Sequence, residues 1–203
     1  MMTATSRYLS EFEIASMFEQ LLNFDGKAEI VDGRIILMSP TGAWPSLVAS
    51  LIFISLKKYV KRRRNHFAIN DNSTFRVDLP NRQSFSPDAA YFIGPSPKMG
   101  PFVGSPIFAV EVRSIGDYGP RAEELIAAKR ADYFAAGTQV VWDVDLLSHD
   151  IVKSYRSVMP ESPEIFRSGD LANAEPALPG WSVAVNDILP DDWEVPAEIP
   201  TRE

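Results

Sequence analysis

At 203 residues and 45% hydrophobic content the chain suits one domain with a real core, expected to span residues 1–203. The absence of cysteine excludes disulfide scaffolds, thiolate zinc sites and cysteine nucleophiles, and is compatible with a reducing cytoplasm. A formal charge of −7 argues against indiscriminate coating of nucleic acid, which depends on neutralising phosphates with Lys and Arg.

From the N-terminus, Ser10 and Glu13 form a capping-box pattern. With Phe12, Met17, Phe18, Leu21 and Leu22 as an apolar stripe, they predict a helix over 10–22. Asp32-Gly33 between two apolar runs is a two-residue hairpin pattern. Its register sets Ile30 opposite Ile35 and Ala28 opposite Leu37, with Glu29 on the other face. A long helix runs from Pro45 to about Arg63, with Leu47, Leu51, Ile54 and Tyr59 among its apolar positions. Residues 57–64 within and after it carry six positive charges, so the remainder of the chain carries −13. That run either meets a phosphate backbone or complements and solubilises a helix end.

Strands near 66–70 and 73–78 are followed by central strands over 88–93 and 106–113, with residues 94–101 too rich in Pro and Gly to continue either. Pro120 opens a helix that Gly137 stops, and further strands are expected over 140–144 and 151–155. Beyond Leu189, three prolines and five acids predict an extended or frayed tail over 190–203. No N-terminal leader pattern is present, and no apolar stretch nears the ~18–20 residues needed to span a bilayer. The expectation is a soluble cytoplasmic protein that does not engage a membrane.

Three charges stand inside apolar elements: Asp88 after Ser86-Pro87, Glu111 within Phe108-Ala109-Val110-Glu111-Val112, and Lys129. An ionised carboxylate in such a setting costs several kcal/mol, on the order of 2–5, unless a cation or metal offsets it. At about 100° per residue, Ala122, Ile126, Lys129, Tyr133 and Ala136 fall in one helical stripe about 80° wide, so Lys129 points at the sheet. A snorkelling lysine and a plain Glu111–Lys129 or Glu111–Arg113 salt bridge are the bland alternatives. Two carboxylates with a nearby lysine suggest a metal site for phosphate-ester chemistry. With only His66 and His149 available, a histidine-rich metal centre is excluded and a Ser-His-Asp triad has little support.

The series Ala28-Glu29-Ile30-Val31-Asp32-Gly33, Met38-Ser39-Pro40-Thr41-Gly42, Pro87-Asp88, Glu111-Val112-Arg113-Ser114, Lys129 with Tyr133 and Gly137, Val141-Trp142-Asp143-Val144-Asp145 and Leu178-Pro179-Gly180-Trp181 runs in order through most of the chain. It resembles the PD-(D/E)XK nuclease superfamily and, within it, the bacterial family of putative restriction endonucleases. The resemblance implies an α/β fold with a restriction-endonuclease-like core, a mixed central β-sheet flanked by helices. It further implies a DNA substrate, a homodimer, and Mg²⁺, or Mn²⁺ in its place, held by Asp88, Glu111 and the Val112 carbonyl.

In the wider superfamily a lysine stands two residues after the glutamate, where this chain has Arg113. The restriction-like family carries its lysine on the following helix, which matches Lys129. Lys129 is thus expected to orient or deprotonate the attacking water, with Arg113 as a helper or a Glu111 partner. Glu29 matches the family's early glutamate and either completes the metal shell or is a solvent-facing hairpin residue. Many relatives carry a histidine after the S-P-T-G segment, where this chain has Ala43-Trp44-Pro45-Ser46. Metal-dependent DNA endonuclease is the leading reading. A catalytically weakened nuclease fold that binds or regulates is the runner-up, and an interaction domain with a salt-bridged interior is the third.

Overall fold

The computed structural model describes residues 9–194. Helix α1 (Glu11–Leu22) starts at a true capping box, in which the Glu13 N–H donates to the Ser10 hydroxyl and the Ser10 N–H donates to the Glu13 carboxylate. Its inward stripe is Ile14, Phe18 and Leu21, one helical face packed on Ala28 and Ile30, while Phe12 and Leu22 are exposed. Strands β1 (Ala28–Val31) and β2 (Arg34–Leu37) pair in the expected register around Asp32 and Gly33. Both turn residues have positive φ, as a two-residue hairpin requires.

Helix α2 (Ala43–Tyr59) buries Val48, Ala49, Ile52 and Leu56, leaving Leu47 and Ile54 half exposed. It ends before Arg63, and Arg62 sits in the left-handed region that a helix cannot continue through. Then follow β3 (His66–Asn70), β4 (Phe75–Arg76), β5 (Ser84–Phe85), β6 (Ala89–Ile93), β7 (Phe102–Val103), β8 (Phe108–Val112), α3 (Pro120–Ala135), β9 (Val140–Val144), β10 (Val152–Arg156), β11 (Met159–Phe166), β12 (Leu171–Asn173) and β13 (Ser182–Ala184). A 3₁₀ turn occupies Val185–Ile188. Of the tail expected after Leu189, Trp193 is docked, its indole N–H donating to the Leu146 carbonyl at 3.1 Å. Residues 195–203 lie outside the described residues.

The architecture is a mixed α/β one. Its central sheet has the order β11-β10-β9-β8-β6-β3, antiparallel throughout except for the β8–β9 pair, which α3 connects. On one face α2 packs Val48, Ile52 and Leu56 against Tyr91, Phe108, Val110 and Trp142. On the other, Tyr133 of α3 joins Ala90, Phe92, Ala109 and Val141, together with Phe75 and Phe85. Glu111 shares the face of Ala109 by the two-residue strand period. No helix among the described residues is long and apolar enough to cross a membrane.

The register lines up charge across this face. Glu111 pairs with Asp143, and Asp143 with Lys153. Ala89 pairs with Val110 and Asn70 with Ala89, so the residues one step further, Asp88 opposite Glu111 and Asp71 opposite Asp88, continue the row. One transverse line therefore crosses five strands as Asp71, Asp88, Glu111, Asp143 and Lys153.

Candidate active site

Pro87 leads the chain into β6, where the Asp88 N–H donates to the Val110 carbonyl at 3.0 Å and fixes the residue against β8. Its carboxylate is held twice: the Val112 N–H donates to Oδ2 at 2.7 Å, and Lys27 Nζ donates to Oδ1 at 2.5 Å. Lys27 also reaches Asp71 at 2.6 Å. Burial opposes the Lys27 charge, but the attraction of Asp88 and Glu111 outweighs it and raises the ammonium pKa.

Glu111 lies opposite Asp88 with both oxygens engaged. Lys129 Nζ donates to Oε2 at 2.8 Å, and the Tyr133 hydroxyl donates to Oε1 at 2.6 Å. Tyr133 is fixed for this by stacking on Phe85, ring centroids 3.9 Å apart. Burial pushes the Glu111 carboxyl above the usual carboxylate range, and neighbouring Asp88 and Glu29 add to that push against the pull of Lys129. Burial, and then the charges of Glu111 and Glu29, lift the Tyr133 hydroxyl well above its ordinary value, so it stays a proton donor.

Lys129 is shared. Its ammonium sits 2.8 Å from Glu111 and 2.9 Å from Glu29, and the stem fills the inward stripe of α3 as the helical spacing requires. Burial works against its charge, yet the attraction of Glu111 and then Glu29 prevails and the pKa rises. Glu29 is buried and does not face solvent. It accepts from the Ser86 N–H at 2.8 Å and from Arg82 at 2.6 Å, and Arg82 is held in turn by Asp132 at 2.8 Å. Here too burial is the largest influence, but Lys129 and Arg82 overcome it and hold the carboxyl below its usual range. One lysine thus serves two glutamates whose protons are held in opposite senses.

Asp88, Glu111, Glu29 and Lys129 converge; Arg113 takes a different place. It lies just past β8 and does not pair with Glu111. Its Nε and one terminal nitrogen donate to Asp143, both at 2.7 Å, and its two terminal nitrogens grip Glu123. The Val112 amide serves Asp88, while its carbonyl belongs to the same strand end.

Three partners were not singled out by the sequence for this role. Lys27 stands two residues before Glu29 on the same strand face, a period-two pattern that could have revealed it. Tyr133 is one helical turn beyond Lys129, so the spacing that finds one finds the other. Arg82 has no local mark, because it reaches Glu29 across 53 residues of sequence.

Residues 15–186 match the family model Uma2, described as putative restriction endonuclease. No curated protein matches the chain. Among solved structures, a putative nuclease belonging to DUF820 from Anabaena variabilis is similar, with a TM-score of 0.65 at 20% identity over 84% of this chain and 96% of that one. At that identity the likeness is one of fold, a mixed sheet flanked by helices, whereas the family match runs over most of the sequence. The chain belongs to the family of putative restriction endonucleases.

Proposed function

We propose that the protein is a metal-dependent DNA endonuclease of the PD-(D/E)XK type, acting as one cytoplasmic domain and as a homodimer suited to cutting two strands. The observation that carries this is the convergence of Asp88 and Glu111, opposed on neighbouring strands, with Lys129 entering from the next helix. Their chemistry fits a divalent ion. Asp71, Asp88, Glu111, Glu29 and Asp132 set five carboxylates against three cations, Lys27, Lys129 and Arg82, leaving two negative charges uncompensated in this network.

Among the described residues no three acidic, His or Cys side chains form a metal-holding group, so an all-protein cage is not on offer. Mg²⁺ does not ask for one: it is commonly held by one or two carboxylates and retains several waters. The Ser86 hydroxyl, two residues before Asp88, is buried without a hydrogen-bond partner, which fits a polar ligand at this point. Asp88, Glu111 and the Val112 carbonyl would hold Mg²⁺, or Mn²⁺ in its place. Such an ion supplies hydroxide near neutral pH and offsets charge on the attacked phosphoryl group.

The chain's own residues do the rest. Lys129, kept as an ammonium by two carboxylates, cannot accept a proton in this arrangement; it orients the attacking water and stabilises developing negative charge. Glu29, steadied by Ser86 and Arg82, positions that ammonium. Arg113 can contribute charge and hydrogen bonds but no base.

The test is cleavage of supercoiled and linear DNA with Mg²⁺ or Mn²⁺ against chelator, with Asp88→Ala as control. Metal-dependent cutting lost in the variant is expected; cutting that survives it, or none under any metal, overturns the reading. A second reading, a nuclease fold that binds without cutting, is favoured by the ammonium groups already seated on both carboxylates. It predicts metal-induced stabilisation with no strand scission.

A further inference from the structure

The six basic residues within 57–64 are exposed, but they precede β3 at His66, which pairs with Ile93, the end of β6 far from Asp88. Five strand residues at ~3.3 Å each separate the two ends. The carboxylate end of the sheet needs a different contact for a bound backbone. One lies on the transverse row, at Arg113.

The buried edge of that guanidinium is fixed by Asp143, itself buried, through two hydrogen bonds. Its outer edge presents two parallel N–H donors to both oxygens of Glu123. Glu123 is 53% exposed, whereas Arg113 is 5% exposed. The same carboxylate is also drawn by Lys153 and Arg130. Lys153 stands on the row beside Asp143, and Arg130, next to Lys129 in sequence, has its guanidinium carbon over the Tyr155 ring, 3.7 Å from the centroid. An acid in the first turn of α3 is favoured by the helix dipole, which accounts for a carboxylate there. It does not account for a two-pronged grip by Arg113 with two further cations drawing the same carboxylate, one of them, Lys153, also 3.8 Å from Asp145.

That geometry is the one a guanidinium uses for the two non-bridging oxygens of a phosphodiester. Because water competes for the exposed Glu123 carboxylate, it can be exchanged for another anion that still neutralises the buried guanidinium. We infer that Arg113, Lys153 and Arg130 form a phosphate-binding site, that Glu123 occupies it in the free protein, and that a backbone phosphate flanking the one under attack displaces Glu123 when DNA binds. The assignment to DNA rests on the endonuclease reading. The site itself does not. Glu111 and Lys153 are two strand spacings of ~4.8 Å apart on one row, which puts the flanking phosphate beside the reacting one.

Binding is measured without divalent metal, for inorganic phosphate by calorimetric titration and for a short DNA duplex by fluorescence anisotropy, using wild type, Glu123→Gln and Glu123→Gln combined with Lys153→Met. Glu123→Gln should bind phosphate several-fold more tightly, on the order of five-fold, and gain similarly for DNA, with the salt slope steeper by about one phosphate contact. Adding Lys153→Met should cancel most of both gains. Unchanged phosphate affinity in Glu123→Gln, or a gain that survives Lys153→Met, overturns the site. A gain for phosphate without one for DNA overturns its assignment to a nucleic-acid backbone. Failure of DNA cleavage in the wild type would sink the endonuclease reading while leaving the phosphate result to decide this one.

Discussion

Glu111 and Lys129 oppose each other in what their loss should do. Glu111 has its carboxyl raised, so the metal-free fold binds its proton more readily than the unfolded chain does, and stability falls as pH rises from the ordinary carboxylate value through the raised one. Glu111→Gln should therefore abolish cleavage, leave the metal-free melting temperature at neutral pH equal or higher, and flatten its decline with pH; a large drop in melting temperature would mark a structural salt bridge. Lys129→Met keeps the stem but strands two carboxylates, costing about 3–5 kcal/mol. Turnover should fall roughly 10²–10⁴-fold with little change in DNA affinity. Pairing it with Glu111→Gln should recover part of the stability and none of the activity, as melting and cleavage assays on the double variant would show. Asp88, Glu111 and Lys129 were legible because charge in an apolar strand or stripe has few explanations. Arg82 and Asp71 were not, since their meaning comes only from folded neighbours.

The elements explain why Arg113 behaves differently. It closes β8 onto β9 through Asp143 and onto the start of α3 through Glu123, so it ties a parallel pair to its own crossover. Arg113→Met should cost about 3–5 kcal/mol by leaving Asp143 buried and unpaired, and lower DNA affinity more than turnover. Indispensability for turnover alone, measured at saturating DNA, would instead return the superfamily's strand position to Arg113. Helices α1, α2 and α3, the first hairpin and the central strands were readable from a capping box, a proline opening α3, an Asp-Gly turn and apolar runs. The two-residue strands β5 and β7 carry no period to detect, and of the strand expected near 73–78 only Phe75–Arg76 forms, as β4. β11 holds Pro160 and Pro163, which argue against a strand unless it lies at an edge, where the sheet order puts it.

For the molecule as a whole, charge is segregated: the exposed basic run at one end of the sheet, the acid network at the other. Replacing two of Lys61, Arg62, Arg63 and Arg64 by Ala should weaken DNA binding and reduce the salt slope by about two or less, leaving turnover at saturating DNA unchanged. An unaltered slope would assign the run to helix capping and solubility. Mg²⁺ at 100 times its dissociation constant should stabilise the wild type by about 2.7 kcal/mol and do nothing for Asp88→Ala, which thermal melts can follow. The transverse row of Asp71, Asp88, Glu111, Asp143 and Lys153 bears on how the chain finds its fold. A one-residue slip of any of these strands would carry its charge to the opposite face, into the apolar cluster of Val110, Trp142 and Tyr91. The residues proposed for chemistry thus also penalise one-residue slips in strand pairing. Neutralising several at once should give a protein that refolds to mixed registers, visible as heterogeneous amide exchange in β6, β8 and β9.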